Sequence, residues 1–293
     1  MTGVLWAAAS GIGFGLFQSV NVRAVRQLED VYVSTFLQLL VAAAVLLFAC
    51  VVAGDLPRLA DASAWAWISF ALAGAIHFFL GWTLLNASQD RIGAARTSPL
   101  LTMTPIFGVA IAAVTLGQLP GAAALGGIAV SVAGALVITD PRSEAGVRWQ
   151  DATFGLATAF LWALSPVFTV EGLDELDSPL LGVTVGLVFS VLAYALLLSA
   201  APRRRRSARD LPREGVALKA ISGVLVALSI WGRWIALDTA DVGVVLALNL
   251  LAVPTVLLLA PVIAGRHLER VDARIWLGAA LVVAGSLALI AAD

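Results

Sequence analysis

The chain has 293 residues, 60% of them hydrophobic and only 13% charged, with a formal net charge of −1 at pH 7. A water-soluble domain carries about a quarter charged residues, so this chain lacks the polar surface to cover a soluble globule, and its near-neutral balance offers no extended basic face to nucleic acid. The single cysteine, Cys50, excludes an internal disulfide and a cysteine-built metal site.

Apolar runs near 20 residues recur along the whole length, enough for a helix to cross a bilayer core of about 30 Å. Broken at charged or Pro/Gly-rich loops, they predict ten membrane helices, at 3–20, 33–53, 65–86, 97–116, 121–139, 153–170, 179–201, 216–237, 243–264 and 275–291. The opening MTGVLWAAASGIGFG lacks the positive start of a signal peptide and reads as a permanent first span. Its GIGFG imitates a nucleotide-binding loop, but no strand precedes it, and close helix packing through small residues explains it better. On the same helix Ser10, Phe14, Gln18 and Asn21 share one face.

The third helix carries His77 near its middle, then Trp82 and Asn86 in GWTLLNAS. The fourth, RTSPLLTMTPIFG, is interrupted by Pro99 and Pro105, with Ser98 and Thr102 on one face; the tight turn GQLPG leads to the fifth. In the sixth, Thr158, Trp162, Ser165 and Thr169 form a second aromatic and polar stripe. Lipid offers no hydrogen-bond partners, so both stripes are expected to turn inward, although Ser and Thr also serve plain helix packing. The ninth, LNLLAVPTVLLLAP, repeats the interruption with Pro254 and Pro261, beside Asn249 and Thr255. Matched breaks in corresponding helices point to a transport site.

The stretch SIWGRWIALDTADVG, which begins in the eighth helix and runs past its end, places Arg233 between Trp231 and Trp234. A charge at the bilayer centre costs at least about 2.5–3.5 kcal/mol. Arg233 lies roughly 7–8 Å from Asp238 at 1.5 Å per residue, so an extended side chain could snorkel to the interface. Against that, Ser222 and Ser229 share its face and continue an inward polar stripe. The adjacent tryptophans could stack on the guanidinium or on a solute.

Two stretches of the chain echo one another. LGGIAVSVAGALVI ends the fifth helix and WLGAALVVAGSLALI the tenth, with Gly127/Gly134 matching Gly278/Gly285. Gly81 answers to Gly232, Gly93 to Gly243 and Pro105 to Pro254, all at separations of 149 to 151 residues. The fold class expected is an all-α polytopic membrane protein of ten transmembrane helices in two inverted five-helix repeats. The first occupies 1–140 and the second 153–293, with 141–152 connecting them. Five is odd, so the second copy enters the membrane upside down. The paired Gly faces of helices 5 and 10 serve internal packing or a homodimer contact.

These halves, with FGLFQSVNVRAV and FGLATAFLWALSPVF opening them and LVVAGSLALI closing the second, resemble the EamA-type family of the drug/metabolite transporters over essentially the whole chain. The resemblance implies transport of small metabolites, with export of amino acids or related solutes.

Basic residues in short loops favour the cytoplasm. Sixteen of the 18 Lys and Arg residues follow odd-numbered helices: Arg23 and Arg26, Arg91 and Arg96, Arg142 and Arg148, Arg203 to Arg206 with Arg209, Arg213 and Lys219, and Arg266, Arg270 and Arg274. Loops of the other parity hold Arg58 and the acidic Glu171, Asp174, Glu175 and Asp177. The charges predict a multi-pass inner-membrane protein with both termini extracytoplasmic. Many members of the family it resembles carry their basic loops in the opposite parity.

No catalytic residues, cofactor or metal site are expected: His77 and His267 cannot build a zinc site between them, and Lys219 lies in no Walker sequence. His77 is a candidate for proton coupling or a hydrogen-bonded packing residue. No Asp or Glu lies deep in a span, which disfavours a cation antiporter, whereas Arg233 with aromatic neighbours suits a carboxylate-bearing solute. The expected function is secondary transport by alternating access, with Gln18, Asn21, Trp82, Asn86, Ser98, Thr102, Trp162, Ser165, Trp231, Arg233, Trp234 and Asn249 contacting a small-molecule substrate and the lipid bilayer surrounding the chain. The alternatives are a non-transporting receptor or assembly subunit, and an intramembrane enzyme using His77 with a nearby Ser or Asp.

Overall fold

A computed structural model describes residues 2–116, 121–139, 149–201, 211–239, 248–267 and 269–291. Residues 117–120 of the GQLPG turn, Arg142 and Arg148, the arginines of 203–209 and Gly243 lie outside the described residues.

The described residues form ten helices and no strand. They are α1 (Thr2–Leu28), α2 (Val31–Ala53), α3 (Ala64–Ile92), α4 in two pieces (Ala94–Leu101 and Thr104–Leu116), α5 (Ala122–Thr139), α6 (Trp149–Glu175), α7 (Pro179–Ser199), α8 (Arg213–Thr239), α9 (Ala252–Ile263) and α10 (Ala273–Ile290). A short 3₁₀ turn, Leu56–Ala60, follows α2. Several helix starts are fixed by side chains that accept the unpaired first N–H groups. Asp30 accepts from the N–H groups of Tyr32 and Val33 at 2.8 and 3.1 Å, and Ser63 and Ser178 cap α3 and α7.

At some ends the hydropathy boundaries fall short of the helices, whereas the ninth, expected from 243, starts as a regular helix only at Ala252, after the turn at 250–251. α1 continues past residue 20 to Leu28, and α6 runs from Trp149 to Glu175 rather than 153–170. Hydropathy marks where the lipid ends; backbone hydrogen bonds continue into the aqueous layer, where Arg23, Arg26 and Asp151 cost nothing to expose. α1, α2, α3, α6, α7 and α8 are long and apolar enough to span a membrane, and α5, α9 and α10 are shorter apolar helices. Their outward faces are greasy: Leu196 is 72% and Val262 77% exposed. The chain is a multi-pass membrane protein.

The main helix contacts are α1 with α8 and α9, α2 with α7 and α8, α3 with α6 and α7, α4 with α6, and α5 with α10. Replacing each helix by the one five places away maps this set onto itself. Side-chain pairs fix the senses. α1 and α8 are antiparallel, since Ser10 meets Ser229 while Asn21 meets Lys219. α3 and α6 are antiparallel through His77–Ser165 and Arg91–Asp151. Phe17 against Trp82 and Asn21 on Gln89 set α1 parallel to α3, so α1 and α6 run oppositely. Cys50 on Thr184 with Phe36 near Tyr194 sets α2 against α7.

Glycines permit the tightest crossings. A Cβ on Gly134 would meet the Gly278 carbonyl, and one on Gly285 would meet Ser131, so the glycine faces of α5 and α10 are spent on each other within the chain. Gly11 and Gly15 of GIGFG press against the backbone of 248–252 and Thr255, and Gly13 against Ser229.

Candidate functional site

Three helices are irregular at the same depth. Pro105 has no N–H for the Leu101 carbonyl, which instead accepts from Thr104 Oγ1 at 2.7 Å, while Thr102 Oγ1 covers the Pro99 carbonyl at 2.7 Å. The result is the break at Thr102–Met103 between the two pieces of α4. The chain turns again at 250–251, just before Pro254, where the Leu250 carbonyl that Pro254 cannot serve accepts from the Val253 N–H at 3.0 Å. α3 widens into a π-turn over Ala75–Gly81, a distortion concentrated at functional sites. The Trp162 indole N–H donates to the His77 carbonyl there at 3.3 Å.

These irregularities surround a cavity of about 140 Å³ lined by α1, α3, α4, α6, α8 and the 249–252 segment at the start of α9. Its polar wall is Ser10, Gln18, His77, Ser98, Thr102, Thr104, Ser229, Arg233 and Asn249, and its aromatic wall is Phe14 and Trp162. Phe14 meets the Trp162 ring edge-on at 5.6 Å. His77 stacks on Trp162 at 5.1 Å with the planes 10° apart, and its Nδ1 is 2.9 Å from Ser165 Oγ. The Arg233 guanidinium makes no hydrogen bond or ion pair with any described residue.

Between this cavity and the basic loops lies a second layer, fully buried and built of amides. Lys219 Nζ, with no exposed surface, donates to the Asn21, Gln38 (2.9 Å) and Asn86 (3.1 Å) side-chain oxygens. Asn21 Nδ2 donates to the oxygens of Asn86 and Gln89, both at 2.6 Å. Gln89 Nε2 donates to Gln18 Oε1 at 3.3 Å, and Gln18 Nε2 to Ser98 Oγ at 3.3 Å. Beyond the layer, charged pairs close the surface: Arg23–Glu214, Arg26–Glu269 and Arg91–Asp151.

Of the residues singled out by sequence, Gln18, His77, Ser98, Thr102, Trp162, Arg233 and Asn249 line the cavity, and Ser165 holds His77. Arg233 borders the cavity, half-buried. Asn21 and Asn86 lie in the amide layer instead, because Lys219 draws their oxygens away from the cavity. Trp82 is fully buried between Phe17 and Phe78. Trp231 and Trp234 pack on the apolar cluster around α2 and α7, so Phe14 and Trp162 supply the cavity's aromatic surface in their place.

Sequence reading placed Lys219 in a basic loop; the fold takes it inside. Gln38 and Gln89 were also missed. Two signals were available: Lys219 sits three residues before Ser222 on the inward face of α8, and Gln38 interrupts the otherwise apolar FLQLLVAAAVLLF. His267 is exposed, as its charged loop suggests.

Residues 1–140 match the model of the EamA-like transporter family, in agreement with the resemblance carried by the sequence. One solved structure, titled only "Crystal structure of protein", superposes with a TM-score of 0.60 at 17% identity, covering 96% of this chain and 95% of that one. At that identity the likeness is one of fold. No curated protein matches the sequence.

Proposed function

We infer, from a first half that carries the EamA-like transporter pattern and a charged cavity shared by both halves, that this chain is a secondary transporter of a small carboxylate-bearing solute, such as an amino acid. Residues 1–140 and 153–293 act as two inverted five-helix repeats that expose the cavity alternately to either side, with 141–152 joining them. The contact set that survives exchange of the halves, and the opposite senses of α1 and α6, support this reading. Loop charges favour an inner-membrane protein with both termini extracytoplasmic, which a fluorescent or phosphatase fusion at Asp293 tests. The family's export direction is carried over with the resemblance.

The observation that carries the substrate class is Arg233. A guanidinium taken from water needs an anion or several acceptors to offset the loss. No described residue is hydrogen-bonded to it or carries a negative charge beside it in this cavity, whose walls are aromatic rings, hydroxyls and amides. A carboxylate complements the guanidinium in charge and can take two parallel hydrogen bonds from it. The test begins with a thermal-shift screen of amino acids and small carboxylates, followed by flux of the hits in proteoliposomes. Arg233→Gln is expected to lower flux of a carboxylate by roughly ten- to hundredfold without lowering the melting temperature. Unchanged flux by that variant removes the anionic assignment, and binding without flux in the wild type turns the reading to a receptor.

One observation favours a second reading. His77 Nδ1 and Ser165 Oγ stand 2.9 Å apart beside the cavity, the spacing of a base and a hydroxyl nucleophile. An enzyme would change its ligand, so mass spectrometry of solute recovered after flux separates the two: unaltered solute supports transport.

A further inference from the structure

We propose that Lys219, although walled off from the cavity, makes that cavity selective for anions by fixing the direction of a file of amide side chains that ends at the cavity wall. This rests on the reading of the cavity as an anion site and names a residue that sets its specificity.

The argument starts from what an ammonium can do. It has three donors and no acceptor, so every group around Nζ must present an oxygen. Asn21, Gln38 and Asn86 do so. With its oxygen committed, Asn21 has only its NH₂ to offer, and Gln89 must meet it with an oxygen. Gln89 is thereby left with its own NH₂ toward Gln18, which must answer with Oε1. Gln18 then turns its NH₂ to Ser98, whose oxygen accepts. Ser98 in turn keeps its O–H free to donate. Gln18 and Ser98 both line the cavity. The direction set at Lys219 therefore reaches the cavity as two donors, the second Gln18 Nε2 hydrogen and the Ser98 O–H, facing the same space as Arg233.

Gln38 shows how strongly the lysine dictates these orientations. Its oxygen faces Nζ and Asn86, although this leaves its own buried Nε2 without a partner. Among the described residues Lys219 makes no ion pair, so its charge is spread by aligned amide dipoles rather than cancelled by a carboxylate. A neutral side chain at 219 would free each amide in the file to turn over, and the wall would present oxygens as readily as N–H groups. An oxygen toward a carboxylate is repulsive.

The test compares acid and amide forms of one carbon skeleton: propionate with propionamide, benzoate with benzamide, and valine with valinamide. Affinities are measured by calorimetry on purified wild type, Lys219→Gln, Arg233→Gln and Gln18→Leu. The wild type is expected to prefer the acid. Lys219→Gln is expected to lose about tenfold in acid affinity, the worth of a charge-assisted hydrogen bond, with amide binding unchanged. In Gln18→Leu the file is cut, so adding Lys219→Gln should change the acid preference no further; a merely structural lysine would add its own loss. If Lys219→Gln fails to fold, Gln18→Leu alone should show the same lost preference. An acid preference intact in Lys219→Gln or Gln18→Leu but lost in Arg233→Gln overturns this proposal and leaves the anion site standing. No acid preference in the wild type overturns both.

Discussion

A carboxylate from the second half of the chain holds the start of a helix in the first. Glu269, 1% exposed in the loop before α10, accepts from the backbone N–H groups of Ala94 and Ala95, each at 3.0 Å, with Arg26 4.0 Å away. These are the first donors of α4, which have no partner inside the helix, and the helix dipole favours a negative group there. Gly93 makes the approach feasible, with φ of 82° and a Cβ position already occupied by the carboxylate. Glu269→Gln keeps the shape but turns an NH₂ toward one N–H. It is expected to cost about 1–3 kcal/mol, read as a lower melting temperature, whereas Glu214→Gln in the exposed pair with Arg23 should change stability by less than about 1 kcal/mol. Equal losses from the two variants would show that the cap is not the source. Neither Glu269 nor Lys219 was legible in the sequence, for one reason: a charge beside an apolar run looks like the edge of the membrane. Only partners 175 and 198 residues distant reveal that each is enclosed.

What could be read from sequence at the level of helices was whatever the backbone itself dictates. Pro105 and Pro254 lack a donor wherever they stand, so the breaks they cause near 102–103 and 250–251 were predictable. Thr104, which covers the carbonyl freed by Pro105, was visible, but not its role. The π-turn at Ala75–Gly81 left no such mark, because His77, Gly81 and Trp162 become a unit only when α6 lies against α3. Glycine spacing identified the faces of α5 and α10 but left open whether they met each other or a second chain. Their mutual contact makes a sharp prediction. Gly134→Ala places a methyl against the Gly278 carbonyl and is expected to destabilise by about 1–3 kcal/mol. Gly126, on the same helix, faces open space, so Gly126→Ala should be neutral or gain up to about 1 kcal/mol from helix propensity. Thermal unfolding of the two variants side by side decides it, and a tolerated Gly134→Ala would mean the helices stand farther apart than described.

Across the whole molecule, the contacts sort the helices into two bodies. α1, α8, α9 and α2 form one, α6, α3, α4 and α7 the other; α2–α7, α4–α9, α2–α3 and α1–α3 join them, and α5 and α10 pair with each other beside α4. On the basic-loop side the bodies meet where Asn21 reaches Asn86 and Gln89, where Gln18 reaches Ser98, and where Glu269 reaches the start of α4. On the proposed alternating access, opening toward that side must break all of these together. Arg26 on α1 and Arg96 on α4 both act on Glu269 from opposite sides of this seam, outside the cavity. A protein carrying Arg26→Cys and Arg96→Cys, in a Cys50→Ser background, can therefore be bridged across the seam by a short bifunctional maleimide. Bridging is expected to drop flux to the level of empty liposomes, while each single-cysteine protein treated the same way keeps its own untreated rate. Ligand should still raise the melting temperature of the bridged protein, because the cavity itself is untouched. Undiminished flux through a bridged molecule would show that this seam never parts, and transport by exchange of the two bodies would have to be abandoned.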